Sequence, residues 1–345
     1  MTSPVLIREA QPSEYDAVGR LTEEGFATGP YGHLPVSEER RRLVTDVAAR
    51  AASGVVLVAE SDSALVGTVT VVRAGTPQAR LATGDEAELR LLAVSPAARG
   101  LGLGRALANA AQEVALEWGA PAIVLDTGSL NLTAQSLYDS LGYERLRSHA
   151  DPDGRITHVD YRLPLAARDD VVVRLVRPDE YEAVADLSER AYTIEYEISD
   201  DYLASIRDIE SRAIEHQVWV AADAASGALL GTVATPRRGN TISPLAQDGE
   251  LDFRLLAVDP VARGRGIGDI LTRHTIEIAR LRGLERVVMN SGPQMVGAHR
   301  LYEKVGFGRL SERERIIEVG GRSFLLLAFT IDVPVRLRLD EKIAG

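Results

Sequence analysis

The chain has 345 residues, 45% hydrophobic and 26% charged, with 30 Gly, 15 Pro, no Cys and a formal net charge of −11. This is globular composition, and at roughly 100–200 residues per domain it allows two domains with separate cores. The absence of cysteine excludes disulfides, thiolate metal sites and a cysteine nucleophile. Residues through 167 carry net −6 and the remainder −5. Neither half therefore offers the basic face that a nucleic-acid backbone requires. Charged residues Arg8 and Glu9 come early, and no apolar run approaches the roughly 18 residues that span a bilayer. The expectation is a cytoplasmic protein with neither a membrane nor a nucleic-acid partner.

In chain order, an apolar strand over 5–8 leads through Pro12 into a helix starting near Glu14. A helical stretch over 37–52 and strands over 55–60, 66–72 and 88–94 follow. After a proline-containing turn and a run of glycines, the pattern predicts a helix over 102–118, a strand over 122–126 and a helix over 134–141. A final hairpin turns at 151–154. The same order recurs: strand 171–175, a helix from Glu180, helix 200–214, strands 218–222 and 229–234, and a closing hairpin turning at Gly320 and Gly321. The tail beyond Val335, with alternating charge, reads as a solvated or packing segment.

The recurrence is literal. Leu6-Ile-Arg-Glu-Ala-Gln-Pro-Ser-Glu-Tyr15 is echoed by Val172-Val-Arg-Leu-Val-Arg-Pro-Asp-Glu-Tyr181, and Glu88-Leu-Arg-Leu-Leu-Ala-Val94 by Asp252-Phe-Arg-Leu-Leu-Ala-Val258. Arg99-Gly-Leu-Gly-Leu-Gly104 matches Arg263-Gly-Arg-Gly-Ile-Gly268, and Leu137-Tyr138-Asp-Ser-Leu-Gly142 matches Leu301-Tyr302-Glu-Lys-Val-Gly306. A near-constant offset over this distance means duplicated domains, taken as 1–167 and 168–345, each of mixed α/β architecture around a central sheet.

Glycines at alternate positions opening a helix let the backbone approach a ligand and aim several N–H groups at one point, an anion site suited to a pyrophosphate. Arg99 and Arg105, like Arg263 and Arg265, would add positive charge. Taken alone, the run also fits a purely structural tight turn. It does not fit a Rossmann fingerprint, whose spacing differs, or a Walker loop, which ends in G-K-[ST].

The R-x-x-G-x-G turn, the preceding L-A-V-x-P strand end and the following L-Y-x-x-x-G-[FY] segment together resemble the GCN5-related N-acetyltransferases (GNAT). They do so once in each copy. The resemblance implies two tandem acyl-CoA N-acyltransferase domains with acetyl-CoA as donor. It implies that Arg99, Gly100, Leu101, Gly102, Leu103, Gly104 and Arg105 form the pyrophosphate turn, and that Leu92, Ala93 and Val94 pair with the pantetheine arm like an added strand. In the second copy the equivalents are Arg263, Gly264, Arg265, Gly266, Ile267, Gly268 and Asp269, with Leu256, Ala257 and Val258. Asp269 departs from the pattern, since a carboxylate beside a pyrophosphate weakens binding unless it points away. Backbone N–H groups near Ala93 and Val94 would hold the oxyanion.

The family resemblance also places the chemistry. Tyr138 and Tyr302 match the tyrosine set beside the coenzyme sulfur as general acid, against the alternative of a packed core tyrosine. Glu88 and Asp252, on the strand entering the site, are candidate general bases, against a solvent-facing strand carboxylate. Asn131 matches an asparagine that contacts the pantetheine arm or amine; its counterpart is Met295. The first copy is thus the more complete. Tyr31 and His33, and in the second copy Tyr192, Glu195, Tyr196, Glu197 and Asp200, fall where an acceptor wall forms, and would suit a cationic amine. The histidines at 33, 149, 158, 216, 274 and 299 lack i, i+4 or HExxH pairing, so no metal site is expected.

The implied activity is direct acyl transfer to a primary amine of a small molecule or peptide, with a mycothiol-synthase-like enzyme as a close variant. An acyl-CoA-binding sensor without turnover is the alternative from another class.

Overall fold

The structure, a computed structural model, describes residues 5–151, 154–194, 196–319 and 322–333. The hairpin residues Pro152, Asp153, Gly320 and Gly321, the loop residue Glu195 and the tail beyond Val335 lie outside the described residues. Two compact units are present, one ending at Leu165 and the other beginning at Ala166.

The first unit runs β1 (Leu6–Glu9), α1 (Tyr15–Ala27), α2 (Glu38–Thr45), α3 (Val47–Ser53), β2 (Gly54–Ser61), β3 (Ala64–Arg73), β4 (Ala87–Val94), α4 (Leu103–Glu117), β5 (Ala122–Gly128), α5 (Leu132–Leu141), β6 (Glu144–Ala150) and β7 (Thr157–Pro164). The strands form one sheet in the order β1-β2-β3-β4-β5-β7-β6, in which only the β4–β5 pair is parallel. Both faces are covered, so β2 is apolar on both sides rather than alternating. Leu57 and Ala59 face α4 with Val69, Val71, Leu107, Ala111, Ile123 and Tyr161. Val56 and Val58 face α1 and α3 with Val18 and Val47.

The second unit runs β8 (Val171–Leu175), α6 (Tyr181–Thr193), α7 (Asp200–Arg207), α8 (Ile209–Glu215), β9 (His216–Asp223), β10 (Leu229–Pro236), β11 (Glu250–Asp252), β12 (Arg254–Val258), α9 (Ile267–Leu281), β13 (Arg286–Ser291), α10 (Val296–Val305), β14 (Gly308–Arg309), β15 (Arg315–Val319) and β16 (Arg322–Asp332). Here the strand equivalent to β4 is broken in two: β12 joins β10, β9 and β8, while β11 pairs with β13.

The single helix expected over 37–52 is two helices, and so is its counterpart over 200–214. Asp46 interrupts the first with ψ at 78°, and its side chain accepts a hydrogen bond from the Ala49 N–H. Asp208 does the same for the Ser211 N–H. An aspartate inside an apolar helical pattern here acts as an N-cap, and so starts a new helix. The preceding helix ends on a buried arginine. Arg50 donates to the Val44 carbonyl at 3.1 Å and to the hydroxyls of Thr70 and Thr22. Arg212 reaches the Ser205 and Ile206 carbonyls. With no carboxylate bonded to it, the guanidinium of Arg50 is pushed down to about 10 by burial.

Each unit also opens on the same staple. Arg8 holds Glu14 at 2.6 Å and Arg174 holds Glu180 at 2.6 Å, fixing the strand-to-helix entry. The hydrogen bond from Arg8 draws the Glu14 carboxyl down from 4.5 to about 2. A depressed carboxyl pKa contributes stability that is complete above the unfolded value and is lost as pH falls through the folded one. Arg8→Met is therefore expected to lower stability by about 1 kcal/mol at neutral pH once solvent screening is allowed for. That deficit should shrink below pH 4.5 and vanish near pH 2. Urea titrations of both proteins at a series of pH values check this; a pH-independent deficit would refute it.

Candidate active site

Pairing between β4 and β5 stops after Ala87↔Ile123 and Glu88↔Val124, although both strands continue. A β-bulge in the β3–β4 register causes the divergence. At the bulge Leu91 holds φ at +53°, a left-handed conformation that costs a non-glycine residue about 1–3 kcal/mol. Leu255, in the same place in the second unit, has φ at +54° beside a bulge between β10 and β12. After the bulge, Leu92, Ala93 and Val94 keep β3 on one edge and have no strand on the other, so their outward amides and carbonyls face an open gap. Leu256, Ala257 and Val258 repeat the arrangement.

The glycine turns sit beyond these strand ends, and their glycines serve two purposes. Gly100 and Gly102 have φ of +81° and +79°, and a Cβ on either would meet nothing within 4 Å. They shape an open cradle at the head of α4, with Gly102 as N-cap. Gly264 and Gly266 match them at +78° and +79°. The third glycine is there for packing: a Cβ at Gly104 would touch Leu137, and one at Gly268 would lie 2.8 Å from Leu301. Leu101 is exposed and Leu103 buried, and Ile267 is buried.

The arginines divide differently from the expectation that all four supply positive charge to the turn. Arg99 donates to the Gly25 carbonyl at 2.9 Å and to Thr28, tying the end of α1 to the turn. Arg263 likewise reaches the Ala191 carbonyl. Arg105 bonds Ser140 on α5. Carboxylates and a second arginine crowd the second turn. Arg265 lies 3.1 Å from Asp223 and 3.8 Å from Asp170, and Arg168 donates to its carbonyl at 2.6 Å. Backbone bonds from Ser226, together with Arg265, hold the Asp223 carboxyl down at about 2. Asp269 is turned onto Arg273 at 2.7 Å and Lys304 at 3.7 Å.

Tyr138, on α5, is buried in edge and tilted contacts with Tyr143 and Tyr161. Burial, aided by the charge of Asp126, pushes its phenol well above the ordinary tyrosine range. Tyr302 is equally buried, against Phe253, Phe307 and Phe329, and is also raised by burial. Asn131 caps α5, accepting from the Ala134 N–H at 3.3 Å; Met295 makes no such bond at the head of α10.

Glu88 is not the solvent-facing strand carboxylate of the alternative reading. It is fully buried, and its Oε2 accepts from the N–H groups of Arg80, Leu81 and Ala82 at 2.7, 2.7 and 3.1 Å, while Oε1 accepts from Arg90 at 3.1 Å. Three of these bonds converge on Oε2 and one reaches Oε1, so the carboxylate is held chiefly through one oxygen. Glu88 is an anchor that folds the 78–82 loop over the strand. Asp252 is also buried, with Oδ1 bonded to the Ile242 N–H and Oδ2 without a partner.

The residues expected at an acceptor wall are placed as follows. The Tyr31 ring lies on Gly128, where a Cβ would come within 2.2 Å of it, and its hydroxyl accepts from the Leu130 N–H at 2.8 Å. Tyr192 is not a loop residue; it is buried on α6 in contact with Tyr196 and Tyr202. Gly128→Ala is expected to destabilise by about 1–3 kcal/mol by unseating Tyr31. In a double-mutant cycle with Tyr31→Ala most of that cost should disappear, because the ring it displaces is gone. Additive losses would count against this contact.

The sequence pattern missed one cluster. Asp126 on β5 faces His158 on β7, with Oδ2 2.7 Å from Nδ1, and His158 stacks on His149 of β6 at 5.3 Å.

The bulged strand, the parallel gap beside it and the glycine-opened helix define an acyl-coenzyme A binding architecture, built twice. The acetyltransferase (GNAT) family model matches residues 20–143 and again 181–307, so the chain belongs to this family, whose acyl donor is acetyl-CoA. It is 33% identical over 106 residues to glucosamine 6-phosphate N-acetyltransferase 1 of Oryza sativa subsp. japonica, covering 31% of this chain and 61% of that one. To N-acetylaspartate synthetase of Danio rerio it is 35% identical over 96 residues, 28% of this chain and 31% of that one. To mycothiol acetyltransferase of Beutenbergia cavernae it is 36% identical over 90 residues, 26% of this chain and 28% of that one. These matches span less than two thirds of each relative's length. Among solved structures, ribosomal-protein-S18-alanine N-acetyltransferase from Escherichia coli aligns with 48% of this chain and 98% of its own, at 20% identity and a TM-score of 0.37. Among the described residues no helix is long and apolar enough to cross a membrane.

Proposed function

We propose that the chain transfers the acetyl group of acetyl-CoA directly to a primary amine of a small molecule or peptide, and that the first unit performs the transfer. The observation that carries the transfer reading is the coincidence of an open glycine cradle, an unpaired strand edge and a buried phenol; the set recurs in the second unit, so the choice of the first rests on the differences named below. The cradle at Gly100 to Arg105 would take the pyrophosphate and the β4 edge the pantetheine arm. The donor supplies a thioester, whose C–S bond breaks as the new C–N bond forms. With no cysteine to carry an acyl-enzyme, the amine itself is the nucleophile.

Tyr138 stays protonated because burial opposes the phenolate. So weak an acid does not give up its proton to a thiolate outright. Its task is to donate a hydrogen bond to the developing sulfur charge and to pass a proton on as it regains one from the attacking nitrogen, so that no free phenolate forms. The second unit is the weaker candidate, because Arg265 is held by Asp223 and Asp170 and Met295 replaces the capping asparagine.

Thiol release from acetyl-CoA, measured across a panel of amines, tests the proposal. Acceptor-dependent release is expected for at least one class. Tight donor binding without release from any amine would instead support the sensor.

A further inference from the structure

An amine at neutral pH arrives as an ammonium and must lose a proton before it can attack. Glu88 is fully buried and tied by four hydrogen bonds, three of them on Oε2. A different pair of groups stands at the gap. Asp126 follows Val124 by two residues on β5, so it shares the sheet face of Glu88 and of Gly128, on which Tyr31 rests. His158 is opposite Gly128 in the β5–β7 register, and Asp160 is opposite Asp126. His149 is opposite His158 in the β6–β7 register.

The result is two stacked carboxylate–imidazole pairs. Asp126 Oδ2 is 2.7 Å from His158 Nδ1, with both side chains at least nine-tenths buried. Asp160 Oδ1 is 3.3 Å from His149 Nδ1, and the His149 side chain is 34% exposed. The rings stack at 5.3 Å and 19°. Around them stand Arg147 on Asp160 at 3.0 Å from β6 and Arg80 on Asp126 at 3.8 Å from the β3–β4 loop. Arg90 of β4 and Tyr138 of α5 both act electrostatically on Asp126. Among the described residues no group of three His, Asp or Glu is arranged to hold a metal ion.

Resting on the transferase reading above, we infer that His158, oriented by Asp126, is the base that removes the proton from the acceptor ammonium. At 2.7 Å the charge of Asp126 favours a proton on Nδ1 and leaves Nε2 as the acceptor. The ammonium gives one proton to Nε2 and becomes a neutral amine. That amine forms the C–N bond, the C–S bond breaks, and the nitrogen's second proton reaches sulfur through Tyr138. The imidazolium, its charge balanced by Asp126 and Asp160, returns its proton to water along the exposed edge at His149. The balance is one ammonium and one thioester in, and one amide, one thiol and one proton out.

The second unit lacks the device. Asn290 and Ala328 are opposite one another where Asp126 and Asp160 are in the first, and Leu326 takes the place of His158. His299 carries no equivalent role: its Nε2 is tied to Ser291 and the Gly292 carbonyl, the job that Gln135 does in the first unit.

The test combines kinetics with the state of the ring. His158→Gln is expected to lower kcat by about 100- to 10,000-fold and to remove the acid limb of the kcat/KM–pH profile, while the Kd for acetyl-CoA by calorimetry stays unchanged. Asp126→Asn, which keeps the shape, should slow turnover and move that limb. In ¹⁵N NMR of the full chain, neutral His158 should be the Nδ1–H tautomer and should shift to the Nε2–H form in Asp126→Asn. A wild-type rate and acid limb in His158→Gln, or an Nε2–H tautomer in the wild type, overturns the assignment. Failure of the transferase reading looks different: the wild type itself would release no thiol with any amine, and the tautomer measurement would still decide the pairing.

Discussion

Tyr138→Phe is expected to lower kcat for amine acetylation by about 100- to 1,000-fold, with the KM for acetyl-CoA little changed. The substitution removes one oxygen and keeps the ring that packs on Tyr143 and Tyr161, so thermal unfolding should be close to wild type. Because burial holds the phenol protonated far above neutral pH, the wild-type rate should show no alkaline limb from Tyr138 in the working range. Tyr302→Phe makes the same chemical change in the second unit, against Phe253, Phe307 and Phe329, and is expected to leave turnover within twofold of wild type. The decisive comparison is the two variants side by side, by thiol release. Equal losses would mean that both units turn over; loss in Tyr302→Phe alone would move the active site to the second unit.

What the sequence made legible was what repeats. Two copies of the glycine turn, the strand before it and the tyrosine segment after it located the architecture, because each needs particular residue types. Only glycine takes φ near +80° without strain at 100 and 102. The bulge that opens the gap left no such mark. Leu91 and Leu255 adopt the left-handed conformation against their own preference, held there by tertiary structure, and a leucine in a strand gives no sign of it. The break at Asp46 was hidden for another reason. In an apolar helical pattern an aspartate reads as a surface position until its side chain is seen to cap Ala49.

The surroundings of Glu88 were hidden for a further reason. Strand alternation carries no information about a loop six to eight residues earlier returning to bond Glu88. No helical or metal-motif spacing links the histidines. The signal lay in the alternation His158-Val159-Asp160, which puts an imidazole and a carboxylate on one face of a strand whose other face is core. Their partners Asp126 and His149 come from neighbouring strands, so only the β5–β7 and β6–β7 registers bring the cluster together.

Acetyl-CoA is expected to bind tightly at one site per chain, and the electrostatics of the two turns say which. At the first, Arg105 donates to the Ser140 hydroxyl at 2.7 Å. At the second, Arg265 is shared by Asp223 and Asp170, and Arg168 occupies its carbonyl, so an incoming pyrophosphate would have to approach two carboxylates. Gly102→Val should therefore weaken donor binding by about 10- to 100-fold, the worth of one charge-assisted backbone hydrogen bond lost to the intruding side chain. Gly266→Val imposes the same conformation, φ near +79°, on a valine and should carry a similar stability cost of about 1–2 kcal/mol. It should leave the measured Kd unchanged, which separates loss of a binding site from loss of fold. Calorimetry on both variants and the wild type provides stoichiometry and affinity together. Two equivalent sites in the wild type, or weakening by Gly266→Val as large as that by Gly102→Val, would show that the carboxylates around Arg265 do not exclude the donor.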